Sequence, residues 1–478
     1  MKWSFGIRLW KKCAALICLG ALASCQSPAE ENAHEANAVD VAIKHGHVLT
    51  MDAGFSEYPE GTVLIKDGKI VEIGPDSTLS GTYSAKKVVD ASGQLVMPGL
   101  VNTHTHAAMI MFRGLGDDMP LMQWLQEVVW PAEAQYVNPE HVRMASGIAM
   151  AEMIQGGITC FNDMYFFEEV TAELVDQIGM RAVLGEGVLN FPTPSAGNSN
   201  EGIARSIALY DAYGNHPRIT VAFTPHAPYT CSAELLDSLA TLARNREVPV
   251  HIHLSETEFE VNSMKEAKGK TPIAYLDSLG MLDQWLIGAH CVWLPGDDIP
   301  MLAEKPHFGA AHNPQSNMKL ASGVAPVPAM LASGIAVGLA TDGATSNNNL
   351  DIFQEMKAAS LLQKVTHLDP TLLPARSVVA MATIGGAKAL GLDRQIGSLE
   401  VDKQADIILV GNTAPHGWPL YDPYSHLVYA LGASDVQTVM VDGQLLMEDR
   451  TLLTYDLSKG MKDAETLRSR IQAISPAP

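Results

Sequence analysis

Basic residues are scarce in this chain of 478 residues. Lysine and arginine together number 32, against 53 aspartate and glutamate residues, and the formal net charge is −21. The body of the chain contains no lysine- or arginine-rich run. Because phosphate contacts dominate nucleic-acid affinity, this scarcity argues against a nucleic-acid partner. The acidic balance itself is typical of a solvated surface rather than of a particular function.

Cysteine is also sparse, and its spacing excludes two kinds of site. Three of the six cysteines fall within the first 25 residues. The other three, Cys160, Cys231 and Cys291, are too widely spaced for a CxxC metal site or a disulfide framework. Each follows apolar residues or a strand end, so we predict buried free thiols. A single disulfide among them is compatible with the sequence.

The N-terminus has the features of an export signal. Four basic residues precede the apolar run CAALICLGALAS, which is too short to span a bilayer comfortably. The run ends in Leu22-Ala23-Ser24-Cys25, which resembles a bacterial lipobox. We therefore expect residues 1–25 to be a lipoprotein signal peptide, residues 26–40 a flexible tether, and the protein to be periplasmic and anchored to the outer membrane through Cys25. An ordinary cleaved signal and an uncleaved anchor are the alternatives.

Strand-like segments flank a longer region of alternating strand and helix patterns. In residues 41–97, Asp67-Gly68 between two strand-like runs is a strong hairpin signal. Residues 98–396 contain eight apolar runs that alternate with helical stretches: GLVNT, ITCFND, RAVLGE, ITVAFT, VPVHIH, LIGAH, HFGAAH and IAVGLAT. This repetition predicts an α/β fold built as a (β/α)₈ TIM barrel. Strand character returns in residues 397–455, and residues 456–478 are expected to form a C-terminal helix and tail.

The most informative motif is His104-Thr105-His106, which follows the first of these apolar runs. Side chains at i and i+2 of an extended chain point the same way, so both imidazoles can face one metal ion. Imidazole suits zinc or iron. Further runs end in chemically active residues, namely His226, His253 with Glu256, His290, His312 and Asp342. Because the carboxyl ends of barrel strands share one rim, we expect these residues to meet there.

At these residues the chain resembles the amidohydrolase superfamily, in particular its methylthioadenosine/S-adenosylhomocysteine deaminase branch of the triazine-hydrolase type. The resemblance covers about Val41 to about Thr454. Its motifs are PGLVNTHTH, GDDMPLMQWL, WPAEAQY, TPHAPYTCS, HIHLSET, AHCVWL, AHNPQSNMKL and TDGATSNNNLDIFQEM. It implies that the two flanking strand segments form a composite β-sandwich, and a homo-oligomer is compatible with it.

The resemblance implies a metal centre with four ligands: His104, His106, His253 and Asp342. Zinc is the expected ion, one per subunit, with iron or manganese as substitutes. Such an ion lowers the pKa of bound water towards neutrality. The position on the fourth strand where Lys or Glu would bridge a second metal carries His226, which predicts a single ion.

The remaining site residues have roles that this chemistry requires. Glu256 is expected to protonate a ring nitrogen of the substrate, Asp342 to relay the water proton to the leaving amine, and His290 to orient the intermediate. The resemblance implies that the substrate is bound by Trp124, Glu133, Arg218, His226, Glu256 and Asp342. In it, Glu133 holds ribose hydroxyls and Trp124 supplies an apolar wall. His312, Asn313 and Asn317 are expected to support the ligands from behind.

The expected function is deamination of an adenosine-type nucleoside, namely 5′-methylthioadenosine, S-adenosylhomocysteine or adenosine, to its inosine analogue and ammonia. One departure concerns the homocysteine tail. Relatives that accept it carry an additional Arg in a loop where this chain has Gly202, with Arg205 three residues on. The alternatives are hydrolysis of an amino- or chloro-substituted triazine, pyrimidine or pterin, opening of a cyclic amide, and a lipid-anchored binding protein that has lost turnover.

Overall fold

The computed structural model describes residues 38–472. The predicted signal peptide, Cys25 and residues 26–37 of the predicted tether lie outside this range. The first strand begins at Ala38, so the last three residues of the predicted tether belong to a sheet instead. Within residues 38–472, no helix is both long and apolar enough to cross a membrane. Cys160, Cys231 and Cys291 are buried free thiols, as predicted.

The strands of the described residues are the following: β1 Ala38–Leu49, β2 Glu57–Lys66, β3 Lys69–Pro75, β4 Ser84–Asp90, β5 Gln94–Pro98, β6 Leu100–Thr105, β7 Ile158–Tyr165, β8 Arg181–Val188, β9 Ile219–Val221, β10 Thr224–Pro225, β11 Val250–Leu254, β12 Leu286–His290, β13 Phe308–His312, β14 Ala336–Leu339, β15 Ile407–Gly411, β16 Val436–Val441, β17 Gln444–Glu448 and β18 Thr451–Leu452.

The α-helices alternate with the central strands: α1 Asp76–Leu79, α2 Leu121–Trp124, α3 Trp130–Tyr136, α4 Pro139–Gln155, α5 Glu168–Ile178, α6 Ser199–Tyr213, α7 Ala233–Arg246, α8 Glu258–Lys268, α9 Pro272–Ser278, α10 Asp298–Ala303, α11 Pro314–Lys319, α12 Val327–Ala332, α13 Ile352–His367, α14 Ala375–Met381, α15 Ile384–Ala389, α16 Pro423–Tyr429 and α17 Leu457–Gln472. A 3₁₀ turn, Ala107–Phe112, follows β6, and a π-helical turn, Leu125–Val129, joins α2 to α3.

Side-chain caps start several of these helices where the sequence requires a turn. Asn138 accepts hydrogen bonds from the backbone of Glu140 and His141, and Pro139 occupies the first helical position of α4. Thr257 caps α8 in the same way by accepting from the backbone of Glu260. Such caps satisfy N–H groups that have no partner inside the helix.

The two flanking segments combine into one nine-stranded sheet. Strand β5 pairs antiparallel with β15, which joins the segment before the central region to the segment after it. The predicted hairpin is confirmed: β2 and β3 pair antiparallel across Asp67 (φ 51°) and Gly68 (φ 77°). Positive φ at both central residues matches the twist of the flanking strands, which explains the Asp-Gly pair.

The central strands are parallel and form two sheets, so the fold is α/β. One sheet has the order β10-β8-β7-β6, with β9 also paired to β8, and the other has the order β11-β12-β13-β14. The carboxyl ends of these parallel strands carry the histidines picked out by the sequence. His290 and His312 are the last residues of β12 and β13, and His106 directly follows β6.

Candidate active site and metal centre

Four side chains predicted as metal ligands converge at the carboxyl ends of β6, β11 and β14. The Nε2 atoms of His106 and His253 lie 3.2 Å apart. Asp342 Oδ1 lies 3.4 Å from the Nε2 atoms of both His104 and His106. Three imidazoles and one carboxylate thus share one centre, and this donor set is typical of protein-bound zinc.

These spacings fit the ligands of a single ion. With zinc–ligand bonds of about 2.0–2.1 Å and tetrahedral angles, neighbouring ligand atoms would lie about 3.3 Å apart. The buried Nε2 of His104 has no hydrogen-bond partner among the described residues. An unpartnered buried nitrogen is costly, and a cation at the centre of the cluster would satisfy it. The residues present therefore fit a bound divalent metal.

Backbone carbonyl groups orient two of the imidazoles. His106 Nδ1 lies 2.5 Å from the Met164 carbonyl oxygen, and His253 Nδ1 lies 2.8 Å from the His226 carbonyl oxygen. Because a carbonyl oxygen only accepts, each ring donates its Nδ1 proton and presents a lone pair at Nε2. This tautomer is the one that metal binding at Nε2 requires.

The pKa shifts of the clustered side chains also favour the protonation states that bind a cation. Burial lowers the pKa of His104 to about 4, and burial followed by neighbouring imidazoles lowers the pKa of His253 well below its usual range. Burial by itself would raise the pKa of Asp342, but the facing His104, then His290 and His106, hold it well below its usual range. Neutral imidazoles and an ionised carboxylate are the forms that ligate metals.

Asp342 is held in a strained backbone conformation with a φ of 60°. Its Oδ1 accepts from the backbone N–H of Gly343 at 2.7 Å, and its Oδ2 accepts from Ser316 Oγ at 2.7 Å. Its own N–H donates to the carbonyl oxygen of His104 at 3.0 Å. Left-handed backbone is uncommon for a residue with a side chain and tends to occur at functional sites. The surrounding hydrogen bonds therefore fix where this carboxylate points.

Glu256 and His290 lie beside the metal cluster and face each other. Glu256 Oε2 is 3.8 Å from His290 Nε2, and Ser322 Oγ donates to Glu256 Oε1 at 3.0 Å. Burial raises the pKa of Glu256, which favours its protonated form, although His290 opposes the shift. Burial would lower the pKa of His290, but Glu256 and then Asp342 raise it. The pair can hold and move one proton at this position.

A cavity of about 510 Å³ opens onto these groups, and Trp124, Glu133 and His226 also line it. Four substrate-binding residues were predicted outside the catalytic cluster, and three of them therefore line the same cavity. Tyr165 donates its hydroxyl proton to Glu133 Oε1 at 2.9 Å. Burial raises the pKa of Glu133 to about 7, and the Tyr165 hydrogen bond opposes part of that shift. A carboxylate at a cavity wall can accept hydrogen bonds from substrate hydroxyls.

Arg218 is not in this cavity, and its predicted substrate contact is wrong. The residue directly precedes β9, at the amino end of the strand, and its guanidinium donates to Asp176 Oδ1 at 2.7 Å. His226 follows β10, at the carboxyl end of the same segment. The two residues therefore lie at opposite ends of the parallel sheet. Arg218 ties β9 to α5 instead of binding a ligand.

The supporting residues predicted behind the ligands fall into two groups. Asn317 Oδ1 and Asn313 Nδ2 lie 2.9 Å and 3.1 Å from His290 Nδ1 and orient that ring. Both ring nitrogens of His312 are buried without a hydrogen-bond partner in the part of the chain that the structure describes. Burial lowers the pKa of His312 to about 3, so it is a neutral strand-end imidazole near the site.

Several residues that shape the site were not predicted. They are His251, Tyr165, Ser316 and Ser322. His251 is fully buried, and its Nε2 lies 2.9 Å from His104 Nδ1. A signal for it exists in the sequence, because His251 and His253 are two residues apart on a strand and point to the same face. The other three hold their partners across long sequence separations, which no local pattern reveals.

We expect His251→Ala to weaken metal binding. His104 can donate its Nδ1 proton to His251 Nε2, and groups that orient a ligand in this way typically contribute about 10–100-fold to metal affinity. The measurement is zinc affinity by competition with a coloured chelator. His251→Gln is the matched variant, because its amide oxygen can still accept the hydrogen bond. Equal affinity of His251→Ala and the unmodified protein would show that this contact does not support the centre.

Comparison with known proteins places this site in a family. The model of the Amidohydrolase family matches residues 95–446. A 5-methylthioadenosine/S-adenosylhomocysteine deaminase from Syntrophobacter fumaroxidans is 45% identical over 437 residues, which cover 91% of this chain and 99% of the relative. A 5'-deoxyadenosine deaminase from Methanosarcina mazei is 46% identical over 434 residues, covering 91% and 99%.

A solved structure agrees with this similarity. The crystal structure of an adenosine deaminase from Xanthomonas campestris with bound zinc matches with a TM-score of 0.90 and 37% identity, over 92% of this chain and 100% of that chain. The chain therefore belongs to the amidohydrolase family.

Proposed function

We propose that this protein is a metal-dependent aminohydrolase that converts an adenosine-type nucleoside to its inosine analogue and ammonia. The observation that carries the proposal is that His106, His253, Asp342 and Glu256 line one cavity, with the buried His104 joined to the cluster through Asp342. The relatives named as deaminases of such nucleosides support the substrate class.

The proposed reaction breaks the bond between C6 of the adenine ring and its exocyclic amino group, and forms a C6–O bond in its place. His104, His106, His253 and Asp342 would hold a divalent ion, and such an ion would lower the pKa of a water molecule so that this water can act as the nucleophile. Asp342 is ionised, so it can take a proton from that water and pass it to the departing amine. One water molecule is consumed and one ammonia is released.

Glu256 supplies the proton for the ring nitrogen and regains one from the C6 hydroxyl group when that group becomes a carbonyl, so both protons of the water are accounted for. As the protonated acid it donates to the ring nitrogen next to C6, which makes that carbon a better electrophile. Ser322 holds one carboxyl oxygen and leaves the second towards His290 and the cavity. His290, fixed by Asn317, can donate a hydrogen bond to the oxygen that develops charge at C6.

Glu133 is proposed to hold the sugar. Its Oε1 is occupied by Tyr165, and the carboxylate faces the same cavity as Glu256. A ribose with two adjacent hydroxyls offers donors to such a group, while His226 and Trp124 line the space between. The base and the sugar would thereby be fixed at two points, which positions C6 for attack.

We propose zinc as the ion, one per subunit. The imidazole-rich donor set and the ligand spacing near that of tetrahedral zinc support this choice. Metal analysis of the purified protein would test both identity and count. Near-stoichiometric iron or manganese would change the ion and keep the proposed mechanism.

We also infer that the two parallel sheets close into one (β/α)₈ barrel. A parallel bridge between Phe223 and Val250 supports closure on one side, and the Asp342 to His104 backbone hydrogen bond supports it on the other. A hydrophobic cluster made only of residues from the flanking segments, such as Ile43, Val63 and Leu409, supports folding of the nine-stranded sheet into a β-sandwich.

Export and lipid attachment at Cys25 are a further proposal from the N-terminal pattern, and oligomerisation stays a prediction.

The experiment is an ammonia-release assay on the zinc-loaded protein. The substrates are adenosine, 5′-deoxyadenosine and 5′-methylthioadenosine, with cytosine, guanine, a pterin and an aminotriazine as contrasts. We expect ammonia and the matching inosine analogue in equal amounts from the adenosine group. Ammonia from another ring alone would contradict the nucleoside assignment. No release from any compound would turn the search to cyclic amides, dechlorination or a binding role.

A further inference from the structure

Part of the cavity wall is apolar. Trp124, Leu125 and Trp130 come from the α2–α3 segment, and Leu189 and Phe191 come from the loop after β8. The rings of Trp130 and Phe191 meet with their centroids 5.4 Å apart. These two segments therefore form a continuous hydrophobic surface.

This surface lies next to the proposed sugar site. Trp130 and Glu133 are three residues apart in α3, so their side chains lie on the same face of that helix. A ribose whose hydroxyls are bound by Glu133 is therefore in reach of Trp130. With the base fixed at Glu256, the remaining substituent of the sugar, at C5′, has the apolar part of the cavity available to it.

Within the described residues, the cavity wall offers no lysine or arginine to an anion on that substituent. Among its lining residues within the described range, none is a lysine or arginine, and the carboxyl groups are Glu133, Glu256 and Asp342. A substrate carboxylate at the apolar wall would therefore be desolvated without a lysine or arginine to pair with it. Desolvating an anion without a counter-charge is unfavourable, and such a mismatch rejects a ligand.

Basic side chains near the cavity are already paired. On the β8 side, Arg205 bonds to Glu169 and Glu186. Gly202, at the position where relatives carry an arginine, packs against Val188 and carries no side chain. At the other side, Lys319 contacts Asp117. These cations are held by carboxylates of the protein itself, so a ligand carboxylate would have to compete with them.

We propose that the cavity selects adenosine nucleosides whose 5′ substituent is apolar and uncharged, such as 5′-deoxyadenosine and 5′-methylthioadenosine. It rejects the zwitterionic homocysteine tail of S-adenosylhomocysteine, because both charged groups of the tail would lose water against an apolar wall and its carboxylate has no lysine or arginine in the lining to pair with. The inference rests on the proposed function. The matched proteins include deaminases named for 5-methylthioadenosine and S-adenosylhomocysteine together and for 5'-deoxyadenosine. The inference separates S-adenosylhomocysteine from the other two substrates.

The test compares an uncharged tail with a zwitterionic tail of similar length, since the homocysteine group carries an α-ammonium as well as a carboxylate. The kcat/KM values of 5′-methylthioadenosine, 5′-butylthioadenosine and S-adenosylhomocysteine are measured by ammonia release under the same conditions. We expect both neutral thioethers to exceed S-adenosylhomocysteine by about 100-fold, because an unpaired charge at a binding surface typically has an effect of this order. The butyl compound controls for the length of the tail.

A protein variant tests whether a cation added to the cavity wall improves the use of S-adenosylhomocysteine. Phe191 is 37% exposed at the cavity wall, so Phe191→Arg can place a cation there without opening the core. We expect the ratio of kcat/KM for S-adenosylhomocysteine to that for 5′-butylthioadenosine to rise about 10-fold in Phe191→Arg. Phe191→Gln, which is polar and uncharged, should leave the ratio unchanged.

Three results are decisive. If S-adenosylhomocysteine is used within about 3-fold of the butylthio nucleoside, charge is not the discriminator and the inference is overturned, whatever the absolute rates. An unchanged ratio in Phe191→Arg, with the fold verified by circular dichroism, would also count against it. If no adenosine nucleoside is deaminated while another heterocycle is, the proposed function fails first and takes this inference with it.

Discussion

Glu256→Gln should abolish turnover while the metal stays bound. The amide keeps the size and hydrogen-bonding capacity of the side chain, so Ser322 retains a partner. It cannot donate a proton as a carboxylic acid, and loss of a positioned general acid typically lowers kcat about 10²–10⁴-fold. Because the ligand set is untouched, we expect the zinc content to equal that of the unmodified protein.

The measurement pairs kcat with metal analysis on the same preparation. Glu258→Gln is the matched control, because Glu258 is an exposed carboxylate two residues further along the same segment. That variant should retain full activity. If Glu256→Gln turned over the nucleoside at the normal rate, another group would have to supply the proton, and the assigned role of Glu256 would be wrong.

The part of this site that could be predicted from sequence follows one rule, here called the strand-end rule: functional side chains stand at the carboxyl ends of parallel strands. His104, His106, His253 and Asp342 each follow or end a short apolar run, and parallel strands bring such ends together. The Asp-Gly hairpin was predictable for a similar reason, since two adjacent residues determine its geometry. In both cases a local pattern carries the information.

Arg218 shows where the same reasoning failed. It lies eight residues before His226, which suggests proximity along the chain. An extended strand rises about 3.3 Å per residue, so eight residues carry the chain on the order of 25 Å, from one end of the sheet to the other. The strand-end rule itself would have excluded Arg218, because the residue stands before its strand and not after it.

The supporting contacts could not be predicted because their partners are distant in sequence. Ser316 reaches Asp342 across 26 residues, and Tyr165 reaches Glu133 across 32. The pairing of β5 with β15 joins segments on either side of the whole central region. Only the packing of helices and strands in three dimensions determines which of many serines or tyrosines meets a given carboxylate.

His253→Ala should lose both the metal and the activity. His253 Nε2 is one edge of the ligand cluster, 3.2 Å from His106 Nε2, and its removal leaves two of the three proposed imidazole ligands. Without the ion, the pKa of the nucleophilic water returns towards its bulk value of about 15.7. Turnover is therefore expected to fall to background, in contrast to Glu256→Gln, which keeps the metal.

Thermal unfolding provides a readout that does not depend on catalysis. A ligand that binds only the folded state stabilises it by RT ln(1 + [L]/Kd), which is about 2.7 kcal/mol at 100 times Kd. Zinc should therefore raise the Tm of the metal-free protein and of the control His307→Ala, whose exposed side chain lies at the amino end of β13. The same zinc concentration should leave the Tm of His253→Ala nearly unchanged. A zinc-dependent rise in that variant equal to the control would mean that the ion binds without His253, and the proposed ligand set would have to be reduced to His104, His106 and Asp342.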